Sequence, residues 1–327
     1  MSDPSQQRSD DPRQPEDNRR PEERKLDALN ALDPAVDRSQ QNAAIKKFLA
    51  DKHFRVVAKA ATLAAERSLH ERTTDLITAY GRFLCDPVKR DPKCIAKQAI
   101  ARALVELGCH DVGFFLEGIR YKQLEPVWGG TQDTAIDVRC SCAMGLVSTG
   151  YFRAIQELTV MLNDTEWRAR AGAARAISCG SPREAESLLR FKVLVGDAEA
   201  EVVGECFSGI LAIAPEEGMP FVAGYLAGDN EGVRDFAALA LGESRQPRAL
   251  EYLRDTCKYT VGDFRTVLIR AAALHRSEAA FDWLISIIAE GSRTDCDVAI
   301  EALSVYERNN KLAERVKAAL AQREDHA

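Results

Sequence analysis

The sequence predicts an all-α fold, an α-solenoid of antiparallel helix pairs, and three observations carry that prediction. The stretch Gly228–Gly242 places Val233, Phe236, Ala237, Ala240 and Leu241 at i, i+3, i+4, i+7 and i+8, one apolar stripe along a helix. The position of Arg234 in that stretch recurs along the chain, with equivalents at Val57, Ala96, Arg139, Arg170, Val203, Arg265 and Asp297. Successive spacings are 39, 43, 31, 33, 31, 31 and 32 residues, and a steady period of roughly 20–50 residues marks a solenoid or array. The punctuation repeats too. Asn163-Asp164, Gly196-Asp197 and Gly228-Asp229 each set a residue tolerant of the left-handed region before a helix-capping aspartate. Glu166, Glu199 and Glu231 follow two positions later, at the positive end of the next helix dipole.

Taken in order, residues 1–24 hold four prolines, five arginines, seven acidic residues and no aliphatic or aromatic residue except Met1. Such a segment buries too little apolar surface to offset the entropy of ordering it, so a disordered polar tail is expected. Residues 25–50 read as N-terminal capping helices: a short segment at Leu26–Leu32, a helix-start signal at Asp33-Pro34, and a helix to about Ala50. A single solenoid is expected over 51–321, two helices per period. Gly180-Ser181-Pro182 and Gln246-Pro247 start second helices, and Ser181 with Glu184 has capping-box spacing. The segment 121–133 has no helical stripe and reads as an inserted loop, a kind of insertion that projects from one edge and often serves binding. From Asp295 to Ala321 the Val-Arg signature is lost, as in a terminal capping helix, and 322–327 is a polar end.

Composition narrows the function classes. A low aromatic fraction, 7%, in a chain that is 46% hydrophobic suits closely packed helices better than a β-sandwich. The net charge of −6 argues against a surface built throughout for nucleic acid. No apolar run is long enough to span a bilayer, and the N-terminus lacks the hydrophobic segment of a signal peptide. The nine cysteines are an odd number scattered over different repeats. Reduced thiols in a cytoplasmic protein without membrane contact are therefore expected.

Motifs that carry chemistry are missing. Cys140 and Cys142 stand about 200° apart on a helix and cannot both face one ion, so no metal site is assigned. There is no nucleophile elbow, phosphate loop or H-E-x-x-H, so no catalytic residue and no cofactor is assigned, although a site assembled from distant repeats would leave no local motif. Charge is more informative. From Arg38 to Leu124 sixteen basic residues face nine acidic ones, whereas Asp197–Asp255 has four against twelve. Lys52, Arg55 and Lys59 share one helix face, and Lys93 and Lys97 share a face on the next first helix. Two readings stand: a solvated outer surface, or a patch for an anionic partner. Within the inserted loop, Trp128 follows Glu125-Pro126-Val127 and precedes two glycines. It is either an interface anchor or a ring folded back over the join between the second and third repeats. The candidate partner-binding residues are thus Trp128, Glu125, Lys52, Arg55, Lys59, Lys93 and Lys97.

The run Asp229…Val233-Arg234-Asp235-Phe236-Ala237-Ala238-Leu239-Ala240-Leu241 resembles HEAT-like repeats of the phycobilisome-lyase type. Weaker copies begin at Asp164 and Ile136, and the resemblance extends over about Asp51 to Ala321. It implies a right-handed superhelix with second helices lining a concave face, and an interaction scaffold rather than an enzyme. The leading expectation is a non-enzymatic scaffold whose concave face or loop edge binds another protein, one with an acidic surface. The alternatives are a chromophore (bilin) lyase-like protein, which the resemblance allows, and a nucleic-acid-binding solenoid, which the acidic balance disfavours.

Overall fold

The computed structural model describes residues 19–32 and 37–324. Most of the expected tail, the Asp33-Pro34 step and residues 325–327 of the polar end lie outside the described residues. The chain divides into two compact units, Met1–Ala103 and Leu104–Ala327, a boundary that falls inside the array expected over 51–321.

The first unit contains α1 (Pro21–Asn30), α2 (Arg38–Leu49), α3 (Phe54–Glu66), α4 (Thr73–Arg82), α5 (Pro87–Arg90) and the start of α6 (Ile95–Glu106). Helix α1 begins inside the stretch expected to be a tail. Pro21 opens it with the φ a helix needs, and the Glu23 carboxylate accepts from the Arg20 amide at 3.0 Å. Leu29 is fully buried and Lys25 pairs with Asp51 at 2.6 Å, both within the stretch expected to be capping helices, so only residues 21–24 of the helix fall in the expected tail. The α2 cap is Asp37, whose carboxylate accepts from the Ser39 amide at 3.0 Å. Val56, Val57, Ala60, Ala61 and Ala64 form the buried stripe of α3, which packs on α1 and α2.

The second unit continues with α7 (Val112–Gly118), two strands β1 (Leu124–Val127) and β2 (Gly130–Asp133), then α8 (Ile136–Ser148) and α9 (Ala154–Met161). Pairs follow as α10 (Trp167–Ser178) with α11 (Pro182–Val195), and α12 (Ala200–Ile213) with α13 (Pro215–Ala223). Next come α14 (Glu231–Ser244) with α15 (Pro247–Tyr259), α16 (Asp263–His275) with α17 (Glu278–Glu290), and α18 (Arg293–Ser304) with α19 (Asn310–Glu324). The first helices α8, α10, α12, α14, α16 and α18 pack consecutively on one another. The second helices from α9 to α17 each pack on their own first helix, and α19 closes the series against α17. This is the α-solenoid the period predicts.

Small side chains let the first helices approach. A Cβ on Gly242 would stand 2.2 Å from the Ala271 carbonyl oxygen, backbone against backbone. One on Gly204 would stand 2.7 Å from the Phe236 ring. The Ala-rich stripe is therefore a spacing device as well as a hydrophobic one. Of the expected stripe, Ala237, Ala240 and Leu241 are buried while Val233 and Phe236 are half-buried; Ala238, outside that stripe, is buried too, as are Ala271 and Ala272 on α16.

Some expected details differ. The segment 121–133 is not an irregular loop: β1 and β2 form an antiparallel hairpin with Val127 opposite Gly130. Gly228 is extended at φ −75° rather than left-handed, and the α14 cap is Asn230, which accepts from the Val233 amide at 3.1 Å. Gly196 does take the left-handed region, at φ +82°. Ser181 makes no side-chain capping bond. Asp164 and Asp197 accept from the amides of Glu166 and Glu199, the cap residues of α10 and α12, so they brace the turns from two residues before the caps. Among the described residues no helix is long and apolar enough to cross a membrane.

Gly242→Ala separates two effects. Helix propensity alone would stabilise the variant by about 1 kcal/mol. The contact with the Ala271 carbonyl predicts instead a loss of about 1–3 kcal/mol, because backbone has to move. Chemical denaturation of parent and variant decides between them.

Candidate functional site

The hairpin is built from its base upward. Asp133, at the end of β2, accepts through Oδ1 from the amides of Gln123 (3.1 Å) and Ala135 (2.9 Å). Its Oδ2 accepts from Arg139 Nη1 at 2.6 Å, and the same nitrogen donates to the Tyr121 carbonyl at 2.9 Å. Arg139 is fully buried near the start of α8, and its Nε stands 3.3 Å from Asp164 in the next turn. Burial alone would push the Asp133 carboxyl up, but the amides of Ala135 and Gln123 and the Arg139 guanidinium outweigh it and hold the group below its ordinary value.

A second layer of polar contacts lies beside this one. Glu125 is buried and accepts from Gln123 Nε2 at 2.7 Å and Thr134 Oγ1 at 2.8 Å. The Tyr121 hydroxyl donates to Gln123 Oε1 at 2.8 Å. The Thr134 amide donates to the Gln123 carbonyl at 2.9 Å, which extends the ladder below β1 and β2 and closes it at its buried end.

The other end is free. Trp128 and Gly129 form the two-residue turn, Gly129 at the positive φ of +89° that the turn requires, and the Trp128 ring is wholly exposed. Leu124 and Val127 are exposed on β1 beneath it. The ring does not fold back onto the helices.

The remaining sequence-predicted residues belong to the first unit. Lys52 and Arg55 are exposed, the latter with its guanidinium 5.7 Å from the Phe54 ring, and Lys59 is half-buried. Lys93 is exposed in the Pro92–Cys94 turn that precedes α6, at φ +60°. Lys97 is a correction. It is fully buried, paired with Asp91 at 2.8 Å, and shares no surface with Lys93. Asp91 also accepts from the amides of Ala96 and Lys97, so Lys97 is an internal cation and offers nothing to a partner. Glu125 is likewise turned into the hairpin base.

A groove that sequence reasoning did not anticipate crosses the first helices of the second unit, not the second helices that the resemblance assigns to a concave face. It has a volume of about 480 Å³ and runs over α8, α10, α12 and α14. Its floor is small or apolar, including Ala171, Gly172, Gly204, Phe236 and Leu239, and Trp167 stands among its lining residues. Cys140 lines it as a thiol, pushed up to about 11 by burial and by Asp137. Among the described residues no cluster of three or more His, Cys, Asp or Glu side chains is placed to hold a metal ion.

No protein-family model matches the sequence, and no curated protein matches it. Solved structures similar to the chain include the CpcE–CpcF complex of phycocyanin lyase from Nostoc sp. PCC7120, at 15% identity and a TM-score of 0.37, covering 89% of this chain and 96% of that one. Human deoxyhypusine hydroxylase in complex with glycerol is similar at 16% identity and a TM-score of 0.30, covering 77% and 96%. An engineered protein is similar at 15% identity and a TM-score of 0.38, covering 93% and 94%.

The depressed Asp133 and Asp197 carboxyls set an acid limit. A carboxyl held below its unfolded value stabilises the fold fully above about pH 4 and loses that contribution as pH falls through the depressed value. Thermal melting is expected to be insensitive to these two groups near neutrality and to decline steeply below about pH 4. Asp133→Asn should lower the melting temperature at pH 7 and flatten the acid decline. An unchanged pH profile in that variant would contradict the assignment.

Proposed function

We propose that this chain is a non-enzymatic protein-binding scaffold that grips a partner with the tip of its hairpin. The observation that supports this reading is the contrast between the two ends of the hairpin. The base is closed by a buried ion pair and paired amides, and the tip presents an unsupported indole to solvent. Exposing a large aromatic ring on a braced element forgoes its burial in the fold, and burial against a partner recovers it. A braced element also loses little conformational freedom on binding. Independently of the hairpin, Lys52, Arg55 and Lys93 are exposed on the first unit and would suit an acidic surface there.

The test is to capture native partners with the full chain and then measure melting and dissociation for parent and Trp128→Ala on the same samples. The expected outcome is an unchanged melting temperature with affinity weakened about 30-fold, equivalent to about 2 kcal/mol for an anchor residue. Unchanged affinity would retire the hairpin tip as a binding element. Colour in the purified protein would favour the chromophore-lyase alternative, and co-purifying nucleic acid, read from the 260/280 absorbance ratio, the nucleic-acid alternative.

A further inference from the structure

The groove across α8, α10, α12 and α14 carries an inference independent of the hairpin. Four carboxylates line it, Asp137, Glu201, Glu205 and Glu243, against two guanidiniums, Arg168 and Arg175. Both guanidiniums are engaged: Arg168 with Asp137 at 3.4 Å, and Arg175 with Glu205. Glu201 on α12 and Glu243 on α14 have no ion-pair partner among the described residues. The uncompensated charge of the groove is therefore negative and sits on two adjacent helices.

The apolar part lies between and beside these carboxylates. Leu239 and Phe236 belong to α14, one and two turns before Glu243, and Trp167 opens α10. Phe236 and Trp167 add aromatic side chains to the lining, a residue type that can take a cation as well as an apolar group. Four successive helices at spacings of about 8–10 Å give the groove a length of roughly 25–30 Å. That is longer than a small metabolite and matches about eight residues of extended chain at about 3.3 Å each. Negative charge excludes a nucleic-acid backbone from the same surface.

We infer that this groove binds a short basic segment of a partner protein, an apolar side chain seated toward Phe236 and Leu239 and flanking Lys or Arg side chains paired with Glu201 and Glu243. Charge complementarity selects that occupant. An acidic segment would meet two unneutralised carboxylates, and a purely apolar one would leave them desolvated and unpaired.

The test uses the full chain and a fluorescein-labelled octapeptide, Ser-Gly-Arg-Leu-Leu-Arg-Gly-Ser, followed by fluorescence anisotropy. Saturable binding is expected, weakened at least ~10-fold in the Glu201→Gln/Glu243→Gln double variant and by raising salt from about 50 to about 500 mM. Replacing both arginines of the peptide by Glu should abolish binding to the parent. Glu216→Gln/Glu217→Gln, which removes two exposed carboxylates of α13, should leave affinity unchanged, and so should Trp128→Ala, which separates this groove from the hairpin reading. Absence of binding to the parent, equal binding of the charge-reversed peptide, or equal weakening in the two double variants would each overturn the inference. The salt and charge-reversal arms use the unmodified chain, so they remain decisive if the groove variant folds poorly.

Discussion

Arg139 is a fully buried guanidinium, and much of the surrounding backbone is placed by the need to compensate it. Leaving such a charge unpaired would cost several kcal/mol, so its partners cannot drift away without unfolding something. One partner is Asp133 at the hairpin base, another is the Tyr121 carbonyl, and a third is Asp164 in the turn before α10. A single side chain thus ties the hairpin, helix α8 and the next turn together. The device continues: Arg170 donates to the Asp164 carbonyl and, through two nitrogens, to Asp197, where Lys192 joins it. Charges alternate from turn to turn while the alanines and glycines set the distance between helices.

The device lapses and returns. Val203 occupies the position of Arg170 in the following repeat, an apolar side chain where the two preceding repeats carry a guanidinium. Arg234 stacks its guanidinium 4.2 Å from the Phe264 ring instead of reaching a turn aspartate. Arg265 resumes the pattern, bonding both oxygens of Asp295 at 3.0 Å and the Thr260 carbonyl. Apolar packing continues through the lapse, with Val203, Phe207 and Ala237 buried, so adjacent repeats stay joined by area where they are not joined by charge. Such redundancy is what nearest-neighbour stacking allows: each interface needs enough favourable contact, not one fixed kind.

How much of this is legible in the sequence depends on the range of the determining interaction. The first helices are legible because their stripe is local and periodic, as Ala237, Ala240 and Leu241 illustrate. The hairpin is half legible. Val127-Trp128-Gly129-Gly130 contains a turn signal between residues of strand character, but Pro126 argues against a strand, and the pairing that settles it links residues across the turn. Lys97 misleads because a lysine on a helix is ordinarily solvated. The signal that corrects it is the spacing Asp91 to Lys97, the same six residues that separate Asp133 from Arg139 and Asp164 from Arg170. Asp91 binds the amides of the helix start and the Lys97 ammonium together, so the pair is one structural unit. The groove is illegible, because its lining comes from four helices and its charge balance depends on which carboxylates the arginines occupy.

The hairpin is therefore an extension of the ionic framework, and its use as a display element depends on that framework holding it still. Amide hydrogen exchange on the full chain tests this most directly, at the Gln123 and Thr134 amides that bond across the hairpin base. Protection comparable to that of core amides in α8 is expected, because opening the base would leave the Arg139 guanidinium buried and partly unpaired. Exchange at the rate of an unstructured loop, with α8 still protected, would contradict it.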